Sequence, residues 1–432
     1  MTAQTKQESG LPSAWYMNRW WQMVLGFIAM MSISSPQYVW TLFVKPLQTT
    51  LGASLAQLQV TFSLLIVLQT WCSPIQAWLV DRFGPRLLIS IGCAMSGLGW
   101  VLSGYVSDIW ALYLTYGVIG GFGTGIVYVG IIGHMVRWFP DRRGFAAGIA
   151  AAGYGAGAIL TSFPIAQMIP ASGYAHTLIV WGWIQLAVGV IASQAMRIPA
   201  SNWKPAGAEA LATKQAVRQS QRDYTPGEML KTPCFWLLFV MMSMMATGGL
   251  MVVSQVGPFA NEYGVANALV LGMAALPLSL TLSRATNGLT RPFFGWVSDH
   301  VGRENTMFIA FGLEALAVLL LMLFLRIPAV FVVLTGLVFF GWGEIFSLFP
   351  STLTDLFGTK YATTNYGFLY IAQGIGAVLG GPVAAMIREA SGSWTPVFII
   401  VIALDLLTAF LALFVLKSLR QAWVARSAAT TG

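Results

Sequence analysis

Arg284 and Arg291 stand seven positions apart in a stretch, 267–296, that otherwise reads as membrane-soluble helix. Seven residues make two helical turns, about 10 Å, so both guanidinium groups and the intervening Asn287 fall on one stripe beside the small Gly288. An arginine at the centre of a membrane helix costs about 2.5–3.5 kcal/mol, so neither side chain faces lipid and the stripe points into the protein. A guanidinium offers a planar fork that takes a carboxylate through two parallel hydrogen bonds. Binding of a small organic anion is the chemistry on offer. The competing use is neutralisation by Glu314, Glu344 or Asp405, the acids deep inside other apolar stretches. Glu344, in GWGEIFSLFP, is also the candidate proton carrier.

The elements that must position these groups follow from composition. Of 432 residues 57% are apolar and 9% charged, against about 25% charged in soluble domains. Too few charges remain to coat a water-exposed surface, which excludes a soluble enzyme, a nucleic-acid module and a disordered chain. Twelve apolar runs between residues 20 and 417 are each long enough to cross a bilayer. Eighteen Lys and Arg residues fall in the termini, the stretch 197–233 and the even-numbered connections, and three in the odd-numbered ones. That asymmetry puts both termini in the cytoplasm. Cys72, Cys93 and Cys234 lie within apolar runs and read as buried side chains, not ligands or disulfide partners. The polar N-terminus leads into a long apolar run with no cleavage site, so no cleaved signal peptide is expected.

The chain also repeats itself. Pro74, Trp78, Asp81 and Gly84 in PIQAWLVDRFG recur as Pro292, Trp296, Asp299 and Gly302 in PFFGWVSDHVG, each 218 residues on. The expected fold is an all-α polytopic membrane protein, twelve transmembrane helices in two pseudo-symmetric six-helix halves. Its parts would be an N-terminal tail (1–19), a first half (20–196), a linker (197–233), a second half (234–417) and a C-terminal tail (418–432). The loops DRFGPR (81–86) and SDHVGRE (298–304) resemble the signature loop of the major facilitator superfamily. There Asp81, Gly84 and Arg86, with Asp299, Gly302 and Arg303, would latch neighbouring helices through charge and helix-end dipoles.

RWFPDRRGFAAGIAAAGYGAG (137–157) resembles the start of the fifth helix in the monocarboxylate transporter and oxalate–formate exchanger group, its small residues suited to close helix packing. ATNGLTRPFFGWVSDHVGR (285–303) is similar to the exchangers' eighth helix. The resemblance implies that Arg291, before Pro292, binds substrate carboxylate. Those exchangers hold the second carboxylate with a lysine in the eleventh helix. NYGFLYIAQGIGAVLGG (365–381) resembles that helix but has Gln373 in the lysine's place, so either Arg284 supplies the second charge or the substrate has one carboxylate. The monocarboxylate branch often has an acid four residues before the arginine. Asn287 cannot ionise, which leaves Glu344 for proton coupling. Gln37, Tyr38, Gln59, Tyr128, Tyr154, Trp342, Phe346 and Tyr370 occupy positions that resemble the exchangers' cavity lining, and His134 reads as structural.

The function expected is secondary active transport of small mono- or dicarboxylates such as oxalate, formate or lactate-like acids, in a bacterial inner membrane. Exchange and proton symport through Glu344 both stay open, as does a carrier or sensor for a different solute. No P-loop, HExxH or Ser/His/Asp arrangement occurs, so neither ATP-driven transport nor enzyme catalysis is expected. No cofactor, metal or nucleic-acid partner is expected, and no oligomeric partner is read from the sequence.

Overall fold

The structure is a computed structural model that describes residues 18–199, 219–220 and 222–429. The tail 1–17 and the linker bases Lys204, Lys214 and Arg218 lie outside the described residues. Nine helices among those described are long and apolar enough to cross a membrane, and eleven if each of two bent pairs is one span. The pairs are Arg19–Tyr38 with Trp40–Leu51 (span 1, 44° bend) and Gln57–Trp71 with Ser73–Phe83 (span 2, 51° bend). Proline lies at or just before each bend. Pro36 follows the Ser34–Ser35 pair, and Pro74 falls in the first turn of the second piece, where its missing N–H costs nothing.

The others are spans 3 (Pro85–Ser103), 4 (Ile109–Trp138), 5 (Arg143–Ser172), 6 (Tyr174–Gln194), 7 (Pro233–Val253), 9 (Arg303–Phe324), 10 (Pro328–Phe357), 11 (Ala362–Ser391) and 12 (Thr395–Ala425). The helix Ala275–Val301 completes the twelve as span 8. Its arginines and Asp299 keep it out of the apolar set. The helix begins at 275 and not at the expected 267 because the chain first makes a small hairpin, Leu269–Val270 against Met273–Ala274. Leu271 (φ 51°) and Gly272 (φ 79°) form its two-residue turn, the backbone shape that matches strand twist.

Both ends of the described chain lie at one end of the bundle. Arg19 pairs with Asp141 at 2.7 Å, Trp138 Nε1 donates to the Arg197 carbonyl at 2.8 Å, Tyr224 N donates to the Phe357 carbonyl at 2.9 Å, and Arg420 forks onto Glu304. His134 is buried there against Gln22, Nε2 to Oε1 2.8 Å. At the opposite end Arg388 holds Glu262 through Nη2 at 2.8 Å and Nε at 3.0 Å, and Trp394 Nε1 adds a bond at 2.7 Å. The Arg388 bonds hold the Glu262 carboxyl below its ordinary pKa range.

Spans 5 and 8 touch backbone to backbone. A Cβ added to Gly148 would stand 2.2 Å from the Arg291 carbonyl oxygen, and one added to Gly295 would stand 2.2 Å from that of Gly144. Only glycine permits this approach, and it is tightest toward the end that carries the termini. Toward the other end the contact loosens, with Gly288 Cα 4.0 Å from the Cβ position of Gly155.

Candidate functional site

Arg291 lies ten residues before the end of span 8, 2% exposed. Its Nη1 donates to the Ala151 carbonyl of span 5 at 2.5 Å and its Nη2 to Asn287 Oδ1 at 3.0 Å. The guanidinium carbon sits 4.5 Å from the ring centroid of Phe346, a favourable cation–π contact. Nε has no hydrogen-bond partner, and among the described residues no acid pairs with this arginine. Every group that touches the cation is neutral.

Aromatic rings from five spans gather around the guanidinium. Tyr128 stacks on Tyr370 at 4.8 Å and meets Tyr154 edge-on at 5.3 Å and Phe346 at 6.3 Å. Tyr128, Tyr154 and Tyr366 all lie within range of the Arg291 charge. Tyr154 Oη donates to Gln37 Oε1 at 2.6 Å, and its ring packs on Tyr38. Trp342 braces Phe346 edge-on at 5.7 Å, and its Nε1 donates to the Met245 carbonyl at 3.1 Å, so its polar end is already used. Gln373 lies one turn beyond Tyr370, buried, with Oε1 unpaired.

Two residues of this wall were not singled out from sequence. Gln69 donates to Tyr370 Oη at 3.4 Å while its Oε1 is unpaired, and the buried Tyr366 hydroxyl also has no partner. Gln59 is exposed near the start of span 2 and is not among the residues gathered here. Glutamine falls at both 59 and 69 of the same helix, and nothing local shows which one faces the chamber.

Arg284 is exposed and not on the inward stripe expected from its spacing to Arg291, and it has no ion pair or hydrogen bond among the described residues. It opens onto a groove of about 480 Å³ between spans 1, 5 and 8, lined also by Tyr38, Phe163 and Thr281. The groove lies on the side of Arg291 away from the chain termini. Tyr38 belongs both to the groove and to the ring wall, so it stands between the two arginines' surroundings.

The loop motifs close the end that carries the termini. Asp81 accepts from Arg137 Nη2 at 2.5 Å and from Thr364 N and Oγ1 at 2.9 and 2.6 Å, in the first turn of span 11. Asp299 accepts from Gly144 N at 3.0 Å and Phe145 N at 2.9 Å, in the first turn of span 5. Each acid thus meets the unpaired N–H groups of a helix in the other half, where dipole and hydrogen bonds both favour an anion. Gly84 and Gly302, at φ 87° and 99°, make the turns that follow. Arg303 spans Asp299 at 2.6 Å and Asp355 at 2.8 Å, and Arg143 joins Asp355 at 2.7 Å. Arg86 takes no part; it reaches Gln194 at 3.4 Å on the exposed face of span 6.

The Major Facilitator Superfamily model matches residues 23–285 and 275–430. The oxalate:formate antiporter of Oxalobacter formigenes is 35% identical over 418 residues, 96% of this chain and 94% of that protein. Human monocarboxylate transporter 11 is 25% identical over 357 residues, covering 78% and 70%. In fold, the chain is similar to the E. coli fucose:proton symporter (TM-score 0.68, 12% identity, 92% and 99% covered). The proton:xylose symporter gives a TM-score of 0.67 at 14% identity, with 94% and 99% covered. Twelve spans, paired loop latches on helix ends and this match along nearly the whole length lead to one assignment: the chain belongs to the major facilitator superfamily, as an integral membrane transporter and not an enzyme.

Proposed function

We propose that the protein is a secondary carrier of small carboxylates that works by alternating access, with Arg291 as the anion-binding group. The observation that carries this reading is a fully buried guanidinium whose neighbours are a carbonyl, an amide and an aromatic face, with no acid among them. A cation held this way is an anion site held ready. Asn287, Tyr128, Tyr154, Tyr366, Tyr370, Gln69 and Gln373 would orient the bound oxyanion, and the ring walls would limit its size. The antiporter similarity adds support for oxalate or formate as cargo. Arg284, two turns nearer the open groove, would attract the incoming anion or hold a second carboxylate. The halves 20–196 and 234–417 would rock about the site. The basic-residue asymmetry supports cytoplasmic termini in a bacterial inner membrane.

Counterflow in proteoliposomes with a panel of mono- and dicarboxylates tests the reading. Saturable exchange of at least one small carboxylate is expected, with uncharged analogues inert. Binding without flux would instead make the protein a sensor, and flux of cations or uncharged solutes would refute the anion site. Within the site, Asn287→Ala removes a hydrogen bond to the cation worth about 1.5 kcal/mol. The concentration for half-maximal uptake should rise about tenfold with expression unchanged.

A further inference from the structure

Three carboxyl groups lie inside the second half with no base paired to them: Glu314 of span 9, Glu344 at the joint of span 10 and Asp405 of span 12. Each is fully buried. None of their six carboxyl oxygens has a hydrogen-bond partner among the described residues. The groups also act on one another. Glu314 feels the charges of Asp405 and Glu344, and Glu344 feels those of Asp405 and Arg291.

Among the described residues, the charges that act on these carboxyls are one another's and that of Arg291. Span 7 presents Gly248 to Asp405, and Gly341 of span 10 backs onto Glu314. Span 8 contributes Arg291, which acts on Glu344. No group of acids, histidines or cysteines among the described residues has the spacing to hold a metal ion. An isolated ionised carboxylate in a low-dielectric interior is costly enough that the group takes a proton instead. Neighbouring carboxyls then titrate as one unit.

We propose that Glu314, Glu344 and Asp405 form a proton-binding site of the carrier, and that Glu344 links its occupancy to the anion on Arg291. This deepens the anion-carrier reading and rests on it. Charge balance gives the link its direction. In the empty carrier the Arg291 charge, which acts on Glu344 without touching it, keeps that carboxyl ionised while Glu314 and Asp405 hold their protons. When a carboxylate neutralises Arg291, the Glu344 carboxylate loses that counter-charge and binds one proton from water. The chamber then stays near neutral in both states, and the empty and the loaded carrier can each reorient. One proton moves with each anion.

Purified protein in weakly buffered detergent, titrated with oxalate and with formate in the presence of a pH-indicating dye, gives the primary test. The wild type should take up about one proton per bound anion, as reciprocal linkage requires. Glu344→Gln should bind the same anion, seen as a thermal shift, and take up none. In proteoliposomes, wild-type accumulation should change about tenfold per unit of pH gradient. Glu344→Gln should lose that response and keep counterflow, which needs no net proton movement.

Anion binding without proton uptake in the wild type overturns the proposal, and so does undiminished uptake in Glu344→Gln. If no carboxylate binds, the anion reading itself fails, and infrared spectroscopy still judges the proton site. Protonated carboxylic acid bands at neutral pH should weaken in Glu314→Gln and in Asp405→Asn. Absence of such bands from the wild type refutes the site.

Discussion

Replacing Arg291 with alanine should abolish measurable carboxylate uptake while leaving the protein in the membrane in normal amount. Removing one partner of a buried charge pair costs about 2–5 kcal/mol of binding, on the order of 30- to 4,000-fold in affinity. Arg291→Lys keeps the charge but not the planar fork, and it should also cripple uptake. The fold is expected to survive because the guanidinium is held by the Ala151 carbonyl, Asn287 and the face of Phe346, and Glu344, left without its counter-charge, takes a proton. Thermal unfolding separates the two effects. With substrate at about 100 times Kd, the wild type should gain about 2.7 kcal/mol. The alanine variant should show no such gain, while its unliganded transition stays near that of the wild type. Normal transport in either variant would remove the carboxylate site from the protein.

Much of this arrangement was legible in the sequence because it is periodic or repeated. Two charges at helical spacing in an apolar run place Arg291 and Asn287 on one face, and the shift of 218 residues equates Asp81 with Asp299. The contacts that give those residues their meaning are long-range and leave no local trace. Asp355 is an acid at the end of a helix in a sequence rich in such loops. Its two arginine partners come from spans 5 and 9. The same shift aligns Asp355 with Arg137, so the two halves place opposite charges at equivalent positions and the latch is only approximately symmetric. Arg86 follows its motif as Arg303 does, yet only Arg303 is turned inward. Periodicity also could not show that spans 1 and 2 are broken. Nor could it show that Arg284, on the face of Arg291, opens onto a groove instead of the closed chamber.

The latch yields the second large effect. Asp355 is fully buried and shared between Arg143 of the first half and Arg303 of the second. Asp355→Ala leaves two buried cations facing each other with only Asp299 near. Breaking a buried pair from one side costs about 3–5 kcal/mol. In a carrier that cost falls on the conformer closed at the end with the termini, because opening hydrates the arginines. The open conformer should gain about 100-fold or more in relative population. Asp81→Asn should do far less. The amide still accepts one bond, and Arg137 keeps the Thr359 and Lys360 carbonyls as acceptors. Spin labels at Arg86 and Val301, introduced in a background without Cys72, Cys93 and Cys234, read the separation of the two halves at this end. A distance distribution that shifts outward in Asp355→Ala, together with slowed counterflow, would show that buried charge holds this end shut. An unchanged distribution would place that role in the glycine contacts of spans 5 and 8, where Gly148→Ala must then open it.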